Sequence, residues 1–350
     1  MSVKIIHCAD VHLGANPKMK NEVLSAFLRI IDISKDYDFL LVSGDLFDNP
    51  VADRETVEII KAKLSETPAT VVICSGNHDY FSGQSPYNSK WPENVILFTG
   101  AMEKVIIREK NTCIHGAGFS NIYEPETLFS PEAEEDMINI CVIHGDIGVS
   151  GNYNPISLNA LASSKMDYVA LGHIHKRSDI LKEGNTFYAY PGCPQGQGFD
   201  ETGEKGVYHG AVDIGKCNLE FMKICGREFR EIAVDITGLT NLQEVSQKIS
   251  PYLEQDHFCK IILKGEIASD FSLNTDSLSA ILSSQVHLIK FEDRTTLSME
   301  DIERIAEEKS LKGFFVKNML DKIREDSSET NINALKLGLK AFSSEVDYEN

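Results

Sequence analysis

The sequence predicts a layered α/β fold, with a small second α/β domain and C-terminal helices. Three observations lead there. Short Val- and Ile-rich runs lack apolar–polar alternation, which fits strands covered on both faces. Helical apolar stripes separate these runs, and the pattern changes after Gly206 and again after Gly238. The first strand is VKIIHCAD, and the segment from Glu22 to Lys35 sets Val23, Leu24, Phe27, Ile30 and Ile31 on one helical stripe. FLLVSGD follows as a strand, then a short helix from Asp53 to Leu64, then the strands TVVICSGN, NICVIHGD and DYVALGHIH. This alternation of strand and helix is the α/β signature. From Gly206 to Asp235 come the shorter pieces VYHGAVDI, LEFMKIC and REIAVDI, separated by Gly and read as closing the same sheets. A helix over Leu242 to Leu253, a strand KIILKGEI, a helix near Ser277 to Leu282 and a strand VHLIKFE then predict the small α/β module. After Thr296 the pattern is helical, with a polar break DSSETN at 326–331. The expected division is 1–227, 228–297 and 298–350.

A chain of 350 residues suits one large domain and a smaller one. With 34 Lys and Arg against 53 Asp and Glu, the net charge of −19 excludes a basic protein that coats nucleic acid through charge alone. An enzyme acting on nucleic acid would have to supply positive charge locally, from bound metal ions, a few placed Lys and Arg residues, or a partner chain. The eight cysteines form no C-x-x-C pair and read as reduced, mostly buried thiols. The opening MSVKIIHCAD has no secretory pattern, and no run approaches the ~18 apolar residues of a membrane span. The expectation is a soluble, cytoplasmic chain with no membrane partner.

Each apolar strand of the first half ends in metal-loving residues. These are Asp10 and His12; Asp45 and Asp48; Asn77, His78 and Asp79; His144; and His173 with His175, so five of the ten histidines fall in the set. The i, i+2 spacing of Asp10/His12 and His173/His175 points both members of a pair the same way on an extended strand. Oxygen and imidazole donors without thiolate suit Mn²⁺, Fe²⁺ or Zn²⁺, and the imidazoles fit Ca²⁺ poorly. The donor count implies two divalent ions per chain. Asp45 can bridge them with its two oxygens, at the ~3.5–4 Å separation of a two-metal site that activates water and steadies phosphoryl oxygens. Asn77 would bind through a neutral carbonyl without cancelling charge that attracts phosphate.

Asp10-Val-His12, Gly44-Asp45-Leu-Phe-Asp48, Gly76-Asn77-His78-Asp79, His144-Gly145 and Gly172-His173-Ile-His175 occur in that order. In this the chain resembles the calcineurin-like metallophosphoesterase superfamily, over residues 1 to about 205. The resemblance implies a β-sandwich flanked by helices (αββα), with metals at the sheet edge. It implies one ion on Asp10, His12, Asp45 and His175 and a second on Asp45, Asn77, His144 and His173. It makes His78 a proton donor or phosphate contact, and gives Asp48 the other nitrogen of His78, fixing its tautomer and favouring its cationic form. CADVHLG, GDLFD, GNHDYFSGQSPY and YPGCPQGQGFDETGEKG are similar to SbcD nuclease subunits of SbcC/SbcD repair complexes and to YhaO-like exonucleases. Cys193 departs from the Ser expected in the PGS-P tract. That similarity implies a Mn²⁺-dependent DNA exonuclease of repair or recombination, working with an SbcC-like ATPase; a homodimer stays open. The alternatives are a small-molecule nucleotide or cyclic-nucleotide phosphoesterase, and a non-catalytic scaffold for an ATPase.

Lys176 and Arg177 either contact the phosphate backbone of a substrate or form a solvated turn. Tyr80, Phe81, Tyr87 and Trp91 either stack on unpaired bases or pack their own loop. His7, His115, His209, His257 and His287 complete no motif and read as structural. The stretch LKGFFVKNMLDKIRE aligns Leu311, Phe315 and Met319, widened by Val316, Leu320 and Ile323; this apolar face packs either on the chain's own second domain or on the ATPase.

Overall fold

A computed structural model describes residues 2–343 apart from 149–150, 269–270 and 272. The chain forms two compact units, Met1–Glu228 and Phe229–Asn350.

In the first unit β1 (Val3–Cys8), α1 (Lys20–Ile33), β2 (Phe39–Ser43), α2 (Arg54–Leu64), β3 (Thr70–Cys74) and β4 (Val95–Phe98) alternate as the sequence suggests. Then follow β5 (Glu103–Ile107), β6 (Thr112–Gly116), β7 (Ile138–His144), α3 (Leu158–Ser163), β8 (Tyr168–Gly172), β9 (Leu181–Glu183), β10 (Thr186–Ala189), β11 (Gly206–Asp213) and β12 (Lys216–Lys223). They build two six-stranded mixed sheets, ordered β12-β11-β1-β2-β3-β4 and β5-β6-β7-β8-β10-β9. β1 to β4 run parallel, as do β6, β7, β8 and β10, while β11 returns antiparallel beside β1.

The sheets pack face to face. Ile5, Phe39, Leu41, Val72 and Cys74 of the first share one core with Ile114, Ile140, Val142, Tyr168 and Ala170 of the second. The alternate residues Ile6, Leu40, Val42, Val71 and Ile73 are buried too, which is why these strands show no polar alternation. On the outer face of the second sheet, Leu161 of α3 packs with Cys141, Ile143, Val169 and Leu171. Asp53 caps α2 by accepting from Thr56 N at 3.2 Å, so the helix starts one residue inside the expected segment. All eight cysteines are free, and seven are buried.

The second unit begins with β13 (Phe229–Asp235), followed by α4 (Leu242–Ile249), β14 (Phe258–Lys264), β15 (Glu266–Ile267), α5 (Thr275–Leu282), β16 (Leu288–Asp293) and β17 (Thr296–Leu297). Here the sequence reading needs correction. REIAVDI does not close the first unit's sheets; it lies in β13, which pairs in parallel with β14. A strand of this length carries no mark of which sheet it joins, and its partner is some thirty residues downstream. β16 pairs on the far side of β14, and α4 and α5 bury Val245, Ile249, Leu278 and Leu282 against the sheet.

The helices α6 (Met299–Ala306), α7 (Leu311–Glu325) and α8 (Glu329–Ser343) form their own cluster of Ile302, Ile305, Val316, Met319, Leu335 and Leu339. Most of the apolar face of α7 is therefore covered within the unit, with Phe315, Leu320 and Ile323 also packed on this cluster. Leu311 is the exception at 75% exposure. The tail beyond Ser343 lies outside the described residues. Among the described residues no helix is long and apolar enough to cross a membrane.

Candidate metal centre

Parallel pairing puts the C-terminal ends of β1, β2 and β3 at one sheet edge, as the registers Cys8↔Val42 and Ser43↔Cys74 show. The pair His144↔Gly172 does the same for β7 and β8. Because the two sheets face each other, both sets of strand ends meet. His144 Nδ1 lies 3.0 Å from the carbonyl of Ser43, across the sandwich.

The backbone turns sharply where the side chains must converge. Asp10, His12, Asp45 and His173 all have positive φ, at 52°, 48°, 51° and 104°. Non-glycine residues held there cost about 1–3 kcal/mol each and persist only where surroundings impose them. Two motif glycines are fixed by close approach. A Cβ on Gly172 would come within 1.8 Å of Ser43 O, and one on Gly76 within 2.2 Å of Asp45 Oδ1.

Nine of the sequence-selected side chains meet at this edge. Asp10, Asp45 and His144 are almost wholly buried, at 0%, 1% and 0% exposure. Asp45 Oδ2 lies 3.6 Å from His12 Nε2 and 3.4 Å from His144 Nε2, while its Oδ1 accepts from His78 N at 2.9 Å. Asn77 Oδ1 lies 2.9 Å from His144 Nε2 and 3.1 Å from His173 Nδ1. Asp10 Oδ1 accepts from His173 N at 2.9 Å.

The ring orientations are set from outside. His12 Nδ1 faces Asp48 Oδ1 at 3.1 Å, His175 Nδ1 faces Glu201 Oε1 at 2.6 Å, and His173 Nε2 faces Asp146 Oδ1 at 3.6 Å. His144 Nδ1 donates to Ser43 O. Each outer nitrogen then carries the proton, and the inner nitrogen keeps its lone pair.

This arrangement fits divalent cations. With protons held on the outer nitrogens, the lone pairs of His12 Nε2 and His175 Nε2 oppose each other at 3.0 Å. Asp10 Oδ2 is buried with no hydrogen-bond partner. Asp10, His12 and His175 offer donor atoms within 4.8 Å of one another. A proton shared between the nitrogens leaves the Asp10 oxygen unmatched, whereas a cation satisfies all three. Burial pushes the Asp10 carboxyl up to about 6 and drives Asp45 in the same direction, so charge is missing beside both. Burial also holds His144 well below the ordinary histidine value, keeping it a neutral donor.

His78 stands apart from the buried set, with 46% of its side chain exposed. Its Nδ1 is 3.4 Å from Asp48 Oδ1, and this hydrogen bond raises its pKa to about 9. Asp48 is not dedicated to His78: the same oxygen lies closer to His12 Nδ1. Burial raises the Asp48 carboxyl, but its bonds to the two imidazoles prevail and hold it well below the carboxylate range.

Other expectations separate from the site. Asp79 accepts from Gly76 N, Phe47 N and Tyr87 Oη at 2.7, 3.1 and 2.5 Å, so it clamps the loop. Tyr87 and Trp91 are buried and stack on each other, which settles them as loop packing. Tyr80 and Phe81 are half-buried. Lys176 and Arg177 are exposed beside His175, with the Arg177 guanidinium 3.8 Å over the Phe221 ring. His7 is buried among Tyr168 Oη, Ser43 Oγ and Leu171 O, and His115 bonds Asn139. Sequence reasoning missed Asp146 and Glu201. Asp146 directly extends the His144-Gly145 motif, a signal that was available; Glu201 belongs to the tract 190–206, which had only textual likeness to recommend it.

Comparison with known proteins agrees with this geometry. The sequence model of the calcineurin-like phosphoesterase family matches residues 3–177. The metallophosphoesterase YhaO of Bacillus subtilis strain 168 is 31% identical over 289 residues, covering 74% of this chain and 68% of that protein. The DNA double-strand break repair protein Mre11 of Aeropyrum pernix is 34% identical over 217 residues, 54% of this chain and 53% of that one. The SbcD component of the nuclease SbcCD of Escherichia coli K12 is 23% identical over 258 residues, 59% and 64%. The matched stretch thus spans about half to two thirds of these relatives.

Proposed function

Because this chain belongs to the calcineurin-like phosphoesterase family and is a phosphodiester-hydrolysing enzyme, we propose that it is a DNA nuclease, an exonuclease of repair or recombination that uses two Mn²⁺ ions. Asp10, His12, Asp45 and His175 would hold one ion, and Asp45, Asn77, His144 and His173 would hold the other. The observation that carries this reading is the partnerless Asp10 Oδ2 beside the opposed nitrogens of His12 and His175. When bound, such ions lower the pKa of a water and neutralise charge on a phosphoryl group in an in-line displacement.

The protein's own groups do the rest. Asp48 holds Nδ1 of His78, which leaves the Nε2–H to donate to a phosphate oxygen or to the departing oxygen. The raised pKa keeps His78 charged at neutral pH. Asp48 also holds His12, so one carboxylate aligns a donor to the ion and a donor to the substrate. Lys176, Arg177 and Tyr80, next in sequence to His175 and Asp79, serve as substrate contacts.

DNA is favoured as substrate by the names of the relatives, a double-strand break repair protein and a component of a nuclease. The chain's net charge of −19 supplies no general attraction for it, so binding rests on the ions and on a partner. In this reading residues 1–227 carry the chemistry in the cytoplasm and 228–297 form an accessory module. The helices of 298–350 present Leu311 and Phe314, 75% and 68% exposed, to an SbcC-like ATPase. The test is incubation of Mn²⁺-loaded protein with end-labelled single- and double-stranded DNA beside a nucleotide phosphodiester. DNA should be cut, and less so as salt rises. Efficient cleavage of the nucleotide with every DNA intact would make the protein a small-molecule phosphoesterase.

A further inference from the structure

The tract from Cys193 to Lys205 lies beyond the five motifs, yet it wraps two of their histidines. Glu201 reaches His175 Nδ1 with Oε1 at 2.6 Å and accepts from Gln197 N with Oε2 at 2.8 Å. Gln197 Nε2 in turn donates to His12 O at 3.2 Å and Val11 O at 3.4 Å, and Asn16 Nδ2 donates to Gln197 O at 3.0 Å. Lys205 Nζ and Cys193 N both donate to His175 O, at 3.3 and 3.4 Å. The loop thus touches the backbone of both histidines, but the ring of only one. Only 13% of the Glu201 side chain is exposed, so its carboxylate is removed from most solvent and directed onto one imidazole.

We infer that Glu201 is a positioning residue for the ion held by Asp10, His12, Asp45 and His175, fixing His175 as an Nε2 donor and leaving the second ion untouched. This rests on the two-ion reading above. The chemistry is specific to a carboxylate. Glu201 accepts two hydrogen bonds, one on each oxygen. An amide of the same shape has one acceptor and one donor, so it must oppose either Gln197 N–H or His175 Nδ1–H. Relief at His175 moves the ring proton to Nε2, the nitrogen that faces Asp10 and His12, and a protonated nitrogen has no lone pair for a cation.

The experiment is calorimetric titration of metal-stripped protein with Mn²⁺, comparing wild type, Glu201→Gln and Gln197→Ala. The last loosens the loop from Val11 and His12 without altering the carboxylate. In Glu201→Gln one of two binding steps should weaken by about 10–100-fold, with the other step and the melting temperature of the stripped protein unchanged. Excess Mn²⁺ should return kcat toward wild type. Gln197→Ala should stay close to wild type in both steps. Equal weakening by the two variants would make the tract a structural brace, and two unchanged steps in Glu201→Gln would refute the role of the carboxylate. A wild-type protein that fails to take up two ions would instead overturn the two-ion reading beneath it.

Discussion

Both units place aspartates at or just past the ends of parallel strands, and the two sets behave differently. In the second unit Asp235 ends β13 and Asp293 ends β16. Asp235 Oδ1 accepts from Thr237 N and Oγ1 at 2.9 and 2.6 Å, and Asp293 Oδ1 accepts from Thr295 N and Oγ1 at 2.8 and 2.6 Å. Each turn is closed by its own carboxylate, as Asx turns are. In the first unit Asp10 lies two residues past the end of β1, but one of its oxygens has no donor, and the groups around it are His12, Asp45, His144 and His175, from the ends of four strands. A strand-end aspartate is therefore no mark of a site. Convergence is, and it comes from two sheets whose strand ends face each other; the three-stranded and two-stranded parallel sheets of the second unit gather no such cluster of donors among the described residues.

Substitutions separate the two kinds of aspartate. The largest effect is expected for Asp45→Ala, which should abolish cleavage and weaken both Mn²⁺ binding steps, because its carboxylate stands between His12 and His144; loss of only one step would show that it does not bridge. His78→Ala should keep both ions while cleavage falls by about 10²–10⁴-fold, the scale for a general acid or base. If that variant loses an ion, His78 is itself a ligand. Asp48→Asn should cost about 10–100-fold, and because the same oxygen serves His12 and His78, both Mn²⁺ affinity and rate should drop. An effect on rate alone would confine Asp48 to His78. The smallest effect belongs to Asp235→Ala, which should lower stability by about 1 kcal/mol through a lost turn bond and leave Mn²⁺ binding and cleavage as they were. A cleavage defect there would break the contrast between the units.

The metal-loving set was legible because each member lies next to its own strand, so the local run and its polar terminus appear together in the sequence. The groups behind it were harder to see. Glu201 reaches His175 across a glycine-rich loop whose path no periodicity fixes, and only the closed structure brings the two together. Tyr87 went the other way: the sequence left its ring either to stack on bases or to pack its own loop, and the loop packing is what is found, with Asp79 drawing its hydroxyl inward. On α7 the period identified the apolar face, while what covers Val316 and Met319 depended on helices on either side that the sequence placed without orienting. The dual role of Asp48 was invisible for the same reason, since its second imidazole comes from the end of a different strand.

The number of bound ions is the most direct test of the shared role of Asp45. Elemental analysis of Mn²⁺-reconstituted, gel-filtered protein should return two ions per wild-type chain. The same protein should cut end-labelled DNA and lose that activity on chelation. An active preparation holding no more than one ion per chain would contradict the shared role of Asp45 on which the proposed chemistry depends.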